Sequence, residues 1–256
     1  MSNSDNTMPE SATLAARLSH TSFPQPQNKM VKVWRYMDLA KLISLIQSRS
    51  LYLVRLDKLT DPYEGTITSL TAAGINEYFK QIGSTNTYET FRNHFLESRQ
   101  STFVSCWHVN EHESEAMWHL YGGSGGGIAI QTTYSKLVES IELQHDVYIG
   151  LVRYIDYSTG ILSDVNGFTP VMHKRASFAH EREVRFVWYW GSVPYPDQTP
   201  SHLTMPWDLE SYIEKVYVDP NAPTYYFEAV QAVLKSMAPT LENRLEWSQM
   251  KASPFI

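Results

Sequence analysis

The sequence predicts an α+β fold, a single mixed domain around a central, mostly antiparallel sheet. Strand-like runs and helical apolar stripes both recur along the chain. They follow one another without the regular strand–helix alternation of a doubly wound parallel sheet, which is what favours α+β. A length of 256 residues with 43% hydrophobic residues is enough to build one large core.

The first 30 residues differ in composition from the rest of the chain. Ser, Asn, Pro and Gln are frequent there, and residues 24–28 have the composition of a linker. We expect residues 1–30 to form a disordered or weakly ordered tail and residues 31–256 to form the domain.

The first half of the domain begins with a strand over residues 31–36. Asp38 is expected to cap a helix, because Leu39, Leu42, Ile43 and Ile46 follow it with helical spacing. The next elements are a strand over 50–54, a turn over 59–65, helices over 66–81 and 87–99, a strand over 102–108, and a helix over 113–121.

The second half continues with strands over residues 127–132 and 147–157, separated by a helix that begins at Tyr134. A charged segment then leads into a strand over 184–190, and another strand is expected over 213–218. Pro223 marks the start of a helix whose apolar stripe comprises Tyr226, Val230, Val233, Leu234 and Met237.

The charged segment is the most informative part of the chain. Glu181, Glu183 and Arg185 occupy alternate positions, so in an extended chain their side chains point to one face. Carboxylates and a guanidinium that enter a core are costly to bury unless they form ion pairs or take part in the function of the protein. One interpretation is a buried ion-pair ladder with Lys174 or Arg175, and the other is an active-site carboxylate pair.

The turn over residues 59–65 carries two further acids, Asp61 and Glu64. The turn is too short and polar to form core by itself, and a carboxylate before Pro can accept hydrogen bonds from nearby N–H groups. We expect at least one of the two acids to pair with Arg35, Arg175 or Arg185.

Aromatic residues surround polar groups on two predicted strands. Ser105 and Trp107 share a strand face, which either lines a cleft for a planar ring or belongs to the core. Arg35 lies between Trp34 and Tyr36, where a guanidinium either rests on a ring or holds a phosphate.

Two other patterns are not expected to be sites. The glycine-rich run over residues 122–127 follows a helix and precedes a strand, the reverse of a phosphate-binding loop, so we expect a helix stop and a tight turn. Cys106, His108, His112 and His119 include one cysteine and no second ligand cluster, so we predict no metal site and a small buried thiol.

Composition also limits the function classes. A net charge of −6 argues against general nucleic-acid binding, which needs a basic face. No apolar run approaches the roughly 20 residues of a membrane span, and no secretory signal is recognisable at the start. The single cysteine, Cys106, fits a reducing compartment. We therefore expect a cytoplasmic protein without a membrane partner.

These motifs together resemble the domain of unknown function (DUF) family 2971 over residues 33–248, nearly the whole chain outside the tail. The resemblance covers Trp34-Arg35-Tyr36-Met37, Leu51-Tyr52, residues 59–65, Ser105-Cys106-Trp107, Glu113-Ser114, Met117-Trp118, Tyr121-Gly122, Lys174-Arg175, Phe178, residues 181–185 and Val218-Asp219-Pro220. It implies no particular activity.

A second resemblance concerns mechanism. The order of an arginine on a first strand, a serine on a middle strand and then Glu-x-Glu resembles ADP-ribosyltransferases of the arginine–serine–glutamate type. It implies that Arg35 contacts the phosphates of NAD, that Ser105 supports the nicotinamide side of the cleft, and that Glu183 is catalytic. Glu181 would orient the acceptor nucleophile. The usual Ser-Thr-Ser is Val104-Ser105-Cys106 here.

The aromatic residue that stacks on nicotinamide is not fixed by spacing, because Trp107, Trp118 and Tyr121 all compete for that role.

Beside an NAD-using transferase or glycohydrolase, two other functions stay open. One is a non-catalytic nucleotide-binding module of a toxin or defence system. The other is a metal-dependent hydrolase or nuclease that uses Asp61, Glu64, Glu181 and Glu183. We expect a small nucleotide as ligand, and the acceptor is open.

Overall fold

The computed structural model describes residues 13–83, 88–123, 125–144, 146–189 and 199–253. The α-helices of these residues are α1 Leu14–Leu18, α2 Leu39–Ser48, α3 Ser69–Gln81, α4 Tyr88–Ser101, α5 Glu115–Tyr121, α6 Tyr134–Glu139, α7 Leu209–Tyr212, α8 Thr224–Met237 and α9 Pro239–Glu242. The strands are β1 Lys32–Met37, β2 Ser50–Arg55, β3 Thr102–Val109, β4 Ile128–Thr133, β5 Val147–Leu151, β6 Arg153–Ile155, β7 His173–Arg175, β8 Glu183–Tyr189, β9 His202–Pro206, β10 Lys215–Val218 and β11 Leu245–Trp247.

Nine of these strands form one sheet, which confirms the predicted α+β domain with a mostly antiparallel sheet. Its order is β11-β10-β4-β1-β3-β2-β9, with β8 on the other edge of β3 and β5 beside β8. All pairs in it are antiparallel except β10 with β11. The strands β6 and β7 form a separate parallel pair.

The sheet divides at β3. One edge of β3 pairs with β8 along seven residues. The other edge pairs with β1 through Trp34 opposite His108, and with β2 through Val54 opposite Val104. Neither β1 nor β2 is paired with residues 105–107, so these two strands diverge there. We call the opening between them the fork.

The two faces of the sheet carry separate apolar clusters. The larger cluster contains the odd-numbered β3 residues Phe103 and Trp107, and residues of α2, α6 and α8 pack against them. The smaller one contains Val104 of the opposite face together with Phe23 and Met172.

Residues 13–30 pack on the domain, whereas the sequence predicts a weakly ordered tail. Phe23 is 1% exposed, and the N–H of Leu151 donates to the carbonyl of Pro24 at 2.8 Å. The buried guanidinium of Arg17 donates to main-chain carbonyls, those of Ile141, Gln144 and Val147. The composition of the segment hid this docking, because it depends on a few scattered residues, among them Arg17, Phe23 and Gln25, whose amide donates to the carbonyl of Ile149 at 2.8 Å. Residues 1–12 lie outside the described residues.

Other boundaries shift for local reasons. The strand predicted over 147–157 is broken after Leu151, where the N–H of Val152 donates to the carbonyl of Glu183 at 2.9 Å and the chain leaves the sheet. The helix predicted from residue 66 begins at Ser69, because the side chain of Thr68 caps it. The strands β9 and β11 were not expected from the sequence.

Within the described part of the chain, every helix is too short or too polar to cross a membrane.

Candidate functional site

The fork opens into a cleft of about 760 Å³. Its walls come from β1, β2 and α2, its floor from β3, and its far end from the segment that leads into β8. The sequence-predicted residues that line it are Arg35, Tyr36, Asp61, Glu64, Ser105, Trp107, Tyr121, Lys174, Glu181 and Glu183. Three others, Trp118, Arg175 and Arg185, are not among its lining residues.

The main chain of β3 contributes polar groups to the fork. The N–H of Val109 donates to Arg182 on the β8 side, and the N–H of Asn110 donates to Lys32 on the β1 side. Because N–H and C=O groups alternate along a strand, even-numbered residues of β3 direct theirs to β1 and β2. The N–H and C=O of Cys106 therefore point into the fork, where no strand is paired with them.

Arg35 spans the fork from β1. Its Nη2 donates to the main-chain carbonyl of Tyr52 on β2 at 3.2 Å, and its guanidinium lies 5.7 Å from the ring centre of Trp107. Among the described residues, no carboxylate forms an ion pair with it. Burial lowers the pKa of Arg35 to about 10, so it is charged at neutral pH. Most of its five N–H donors are left for an anionic ligand.

The far end of the cleft is a buried ion network of five residues: Glu64, Glu181, Glu183, Lys174 and Arg185. The ammonium of Lys174 pairs with Glu181, with Glu64 at 3.1 Å and with Glu183 at 4.0 Å. The guanidinium of Arg185 pairs with Glu183 at 2.6 Å and with Glu64 at 3.1 Å. Three carboxylates meet two cations, which gives the network a formal charge of −1.

Opposite charges within this network shift the pKa values of Glu183 and Lys174. Burial raises the pKa of Glu183, but Arg185 and Lys174 outweigh it and hold that pKa below its ordinary value. Burial lowers the pKa of Lys174, but Glu183 and Glu64 outweigh it and raise that pKa above its ordinary value. Both groups are therefore charged at neutral pH.

Neutral groups complete the surroundings of the two glutamates. The hydroxyl of Tyr121 donates to Glu181 at 2.9 Å. The main-chain N–H of Glu183 donates to the hydroxyl of Tyr154 at 2.7 Å, and Cys106 shares the strand face of Glu183. Burial, together with Glu183, raises the pKa of Cys106 well above its ordinary value, so this cysteine is a protonated thiol and not an activated nucleophile.

Both acids of the turn are paired, as the sequence predicts for at least one of them. Asp61 pairs with Arg175 at 3.0 Å and accepts from the N–H of Tyr63 at 3.1 Å. Glu64 belongs to the ion network through Arg185. The turn thus closes one side of the network.

The predicted shared strand face of Glu181 and Glu183 is wrong, although the two carboxylates do converge. Glu181 ends a turn of 3₁₀-helix over Ala176–Glu181, and Arg182 has a left-handed φ of 42°. The strand begins only at Glu183. The two carboxylates meet because Lys174 binds both, and strand alternation has no part in it.

The strand register separates the three residues of the arginine–serine–glutamate pattern. Glu183 lies opposite His108 and Arg185 opposite Cys106, so Glu183 shares the face of the even-numbered β3 residues. Ser105 and Arg35 belong to the other face. All three line one cleft because the fork opens through the sheet, but Ser105 is not beside Glu183.

The competing aromatic residues are also separated. Trp118 donates its indole N–H to Glu113 at 3.0 Å and packs edge-on against Tyr36 outside the lining. Trp107 lies at the Arg35 end, and Tyr121 at the network end. Of these three aromatic residues, Tyr121 is the one beside Glu181.

Tyr52, His108 and His202 line the cleft but were not assigned to it from the sequence. Tyr52 and His202 stack at the mouth of the cleft, with ring centres 4.5 Å apart. His108 holds the carbonyl of Glu181 through Nδ1 at 2.6 Å. His202 was missed with its strand β9, where the alternation of Leu203 and Met205 was the available signal.

No protein-family model matches the chain, and no curated protein matches it. Within the described ranges, no group of three His, Cys, Asp or Glu side chains is arranged to hold a metal ion.

Proposed function

We propose that the fork binds NAD and that the protein cleaves it, as an NAD glycohydrolase or an ADP-ribosyltransferase. One observation carries this proposal. A single cleft joins a guanidinium that has no carboxylate partner among the described residues to a buried network with one excess negative charge. The diphosphate of NAD suits the first end, and its cationic nicotinamide ribosyl group suits the second.

The network end has the chemistry for this cleavage. Breaking the bond between ribose C1′ and the nicotinamide nitrogen develops positive charge on the ribose, as in glycoside hydrolysis. A fixed, ionised carboxylate such as Glu183 stabilises that charge, and such groups lower a barrier by several kcal/mol. Tyr121, half-exposed and hydrogen-bonded to Glu181, is the ring that would stack on nicotinamide. Ser105 is assigned no part in this step.

A non-catalytic nucleotide-binding module is the second candidate. Glu183 already accepts a hydrogen bond from Arg185 at 2.6 Å and pairs with Lys174 at 4.0 Å. A carboxylate so fully engaged is also what a purely structural ion network contains. In that case the cleft binds the nucleotide and releases it unchanged.

Two measurements on the same sample test the proposal. Thermal unfolding with and without NAD reports binding, because a ligand that binds only the folded state raises the melting temperature. Nicotinamide release reports cleavage. Arg35→Gln should reduce the shift caused by NAD, whereas Arg49→Gln, which removes a guanidinium paired with Glu210 outside the cleft, should leave it unchanged.

The outcomes separate the candidates. Binding with nicotinamide release supports the enzyme, and binding without release supports the module. The absence of any NAD-dependent shift in the parent protein contradicts both.

A further inference from the structure

His108 adds an independent feature to the network end of the cleft. It is 2% exposed and lines the cleft. Its Nδ1 lies 2.6 Å from the main-chain carbonyl of Glu181, and a carbonyl oxygen only accepts. Nδ1 therefore carries the hydrogen. Nε2 is buried and has no hydrogen-bond partner among the described residues.

The groups around His108 keep this nitrogen an acceptor. Burial lowers the pKa of His108 and outweighs the hydrogen bond with the Glu181 carbonyl, which raises it, while Arg182 and His180 lower it further. On its other sides lie Glu183, opposite it in the strand register, and the ring of Tyr36 at 6.2 Å. A neutral imidazole with its hydrogen on Nδ1 presents a lone pair at Nε2.

We propose that the network end of the cleft is a subsite for a compact ligand group that carries one positive charge and an N–H donor. The pyridinium carboxamide of oxidised nicotinamide has both features, and the neutral dihydronicotinamide lacks the charge. The assignment to a dinucleotide rests on the proposed function, but the preference for a cation does not.

The charge of the network gives the physical reason. Its carboxylates outnumber its cations by one, and a buried excess charge is costly unless something compensates it. A ligand cation supplies the compensation, whereas a second anion adds repulsion in a medium of low dielectric constant. The free lone pair of His108 is matched by the carboxamide N–H of the same ligand. The subsite therefore selects by charge and by hydrogen-bond donation separately.

Two small probes of nearly the same shape test the charge preference. The 1-methylnicotinamide cation and neutral 3-methylbenzamide differ in one ring atom, and both carry the carboxamide. We expect the full-length parent protein to bind the cation at least about tenfold more tightly, by calorimetry or competition, from one charge contact at intermediate dielectric constant.

Two variants assign the preference to residues. Glu181→Gln brings the network to neutrality while Lys174 keeps Glu64 and Glu183, so the cation should lose its advantage over the neutral probe. His108→Asn can still donate to the carbonyl of Glu181 but lacks Nε2, so both probes should weaken by a similar factor of about fivefold. The matched control Glu246→Gln, on the surface beside Lys215, should change neither.

The proposal is overturned if the parent binds the two probes equally or binds neither, or if Glu181→Gln, shown to be folded by its melting curve, keeps the preference. A failure of the proposed function looks different. The parent then prefers the cationic probe but neither binds nor cleaves NAD.

Discussion

Glu183 is the residue whose structural and chemical roles coincide. Its carboxylate binds Arg185 at 2.6 Å, faces Lys174 at 4.0 Å and also lines the cleft. The two interpretations of the charged segment are therefore not alternatives at this position. An ion-pair network fixes the carboxylate in its ionised form, and a carboxylate fixed in that form at a cleft wall is what electrostatic catalysis requires.

Replacing Glu183 separates the two roles. Glu183→Gln keeps the shape but removes the charge, so Arg185 loses its shorter ion pair. Breaking a buried pair costs about 3–5 kcal/mol, and Glu64, which still binds both cations, should hold the loss near the lower end of that range. If the carboxylate also stabilises a developing cation, nicotinamide release should fall by roughly a hundredfold or more. Chemical denaturation and NAD cleavage measure the two effects.

The control for this substitution is Glu246→Gln, where a surface pair with Lys215 is lost, and the cost should stay below about 1 kcal/mol. If Glu183→Gln leaves the free energy of unfolding unchanged, the ion network does not hold in solution.

The lowered pKa of Glu183 predicts an acid-dependent loss of stability. A carboxyl group whose pKa is lower in the folded than in the unfolded protein stabilises the fold fully above the unfolded value, 4.5 here, and loses that contribution as pH falls towards the folded value. The free energy of unfolding should therefore decline below about pH 4.5, by at most about 1.4 kcal/mol per pH unit for this group. Urea titrations of the parent and Glu183→Gln between about pH 3 and 7 measure it, and the variant should show the shallower decline. Parallel curves would contradict the network.

At the scale of elements, the sequence predicts what local patterns encode. The apolar spacing after Asp38 identifies α2, and the side chain of Asp38 does cap it by accepting from the N–H of Lys41 at 2.8 Å. The position of β8 was also predictable from its alternating residues. The docking of residues 13–30 was not, because it depends on the carbonyls that surround Arg17 and on a glycine far away in the chain.

That glycine, Gly150, allows the N-terminal segment to approach β5. A Cβ placed there would lie 2.7 Å from the Cα of Phe23. Because the contact is with main chain, Gly150→Ala should displace the segment, destabilise the protein by about 1–3 kcal/mol and expose residues 13–30 to protease. The matched control is Gly74→Ala in α3, where a Cβ meets nothing within 4 Å. It should stabilise the helix by about 0.5–1 kcal/mol. Protection of residues 13–30 in Gly150→Ala would contradict the docking.

At the scale of the whole molecule, the site exists because β3 pairs with β8 along one edge and with two different strands, β1 and β2, along the other. On one edge of β3, β1 covers its end and β2 its beginning, and the cleft is the gap they leave. No local pattern encodes this gap, which is why the sequence could nominate Arg35 and Glu183 but could not place them on opposite faces. The ion network likewise depends on Lys174 and Glu64, which are 110 positions apart in the chain.

The fork itself predicts a pattern of amide exchange along β3. The N–H groups of Ser105 and Trp107 are directed to β8, with which they are paired, whereas that of Cys106 is directed into the fork, where no strand is paired with it. Cys106 should therefore exchange its amide hydrogen faster than both neighbours in the ligand-free protein, because exchange needs only solvent access there and not separation of β3 from β8. Residue-resolved exchange by NMR measures this, and a ligand that fills the cleft should slow Cys106 selectively. Equal protection of all three amides would mean that β1 and β2 close over β3 in solution, and that Arg35 and the ion network do not share a cleft.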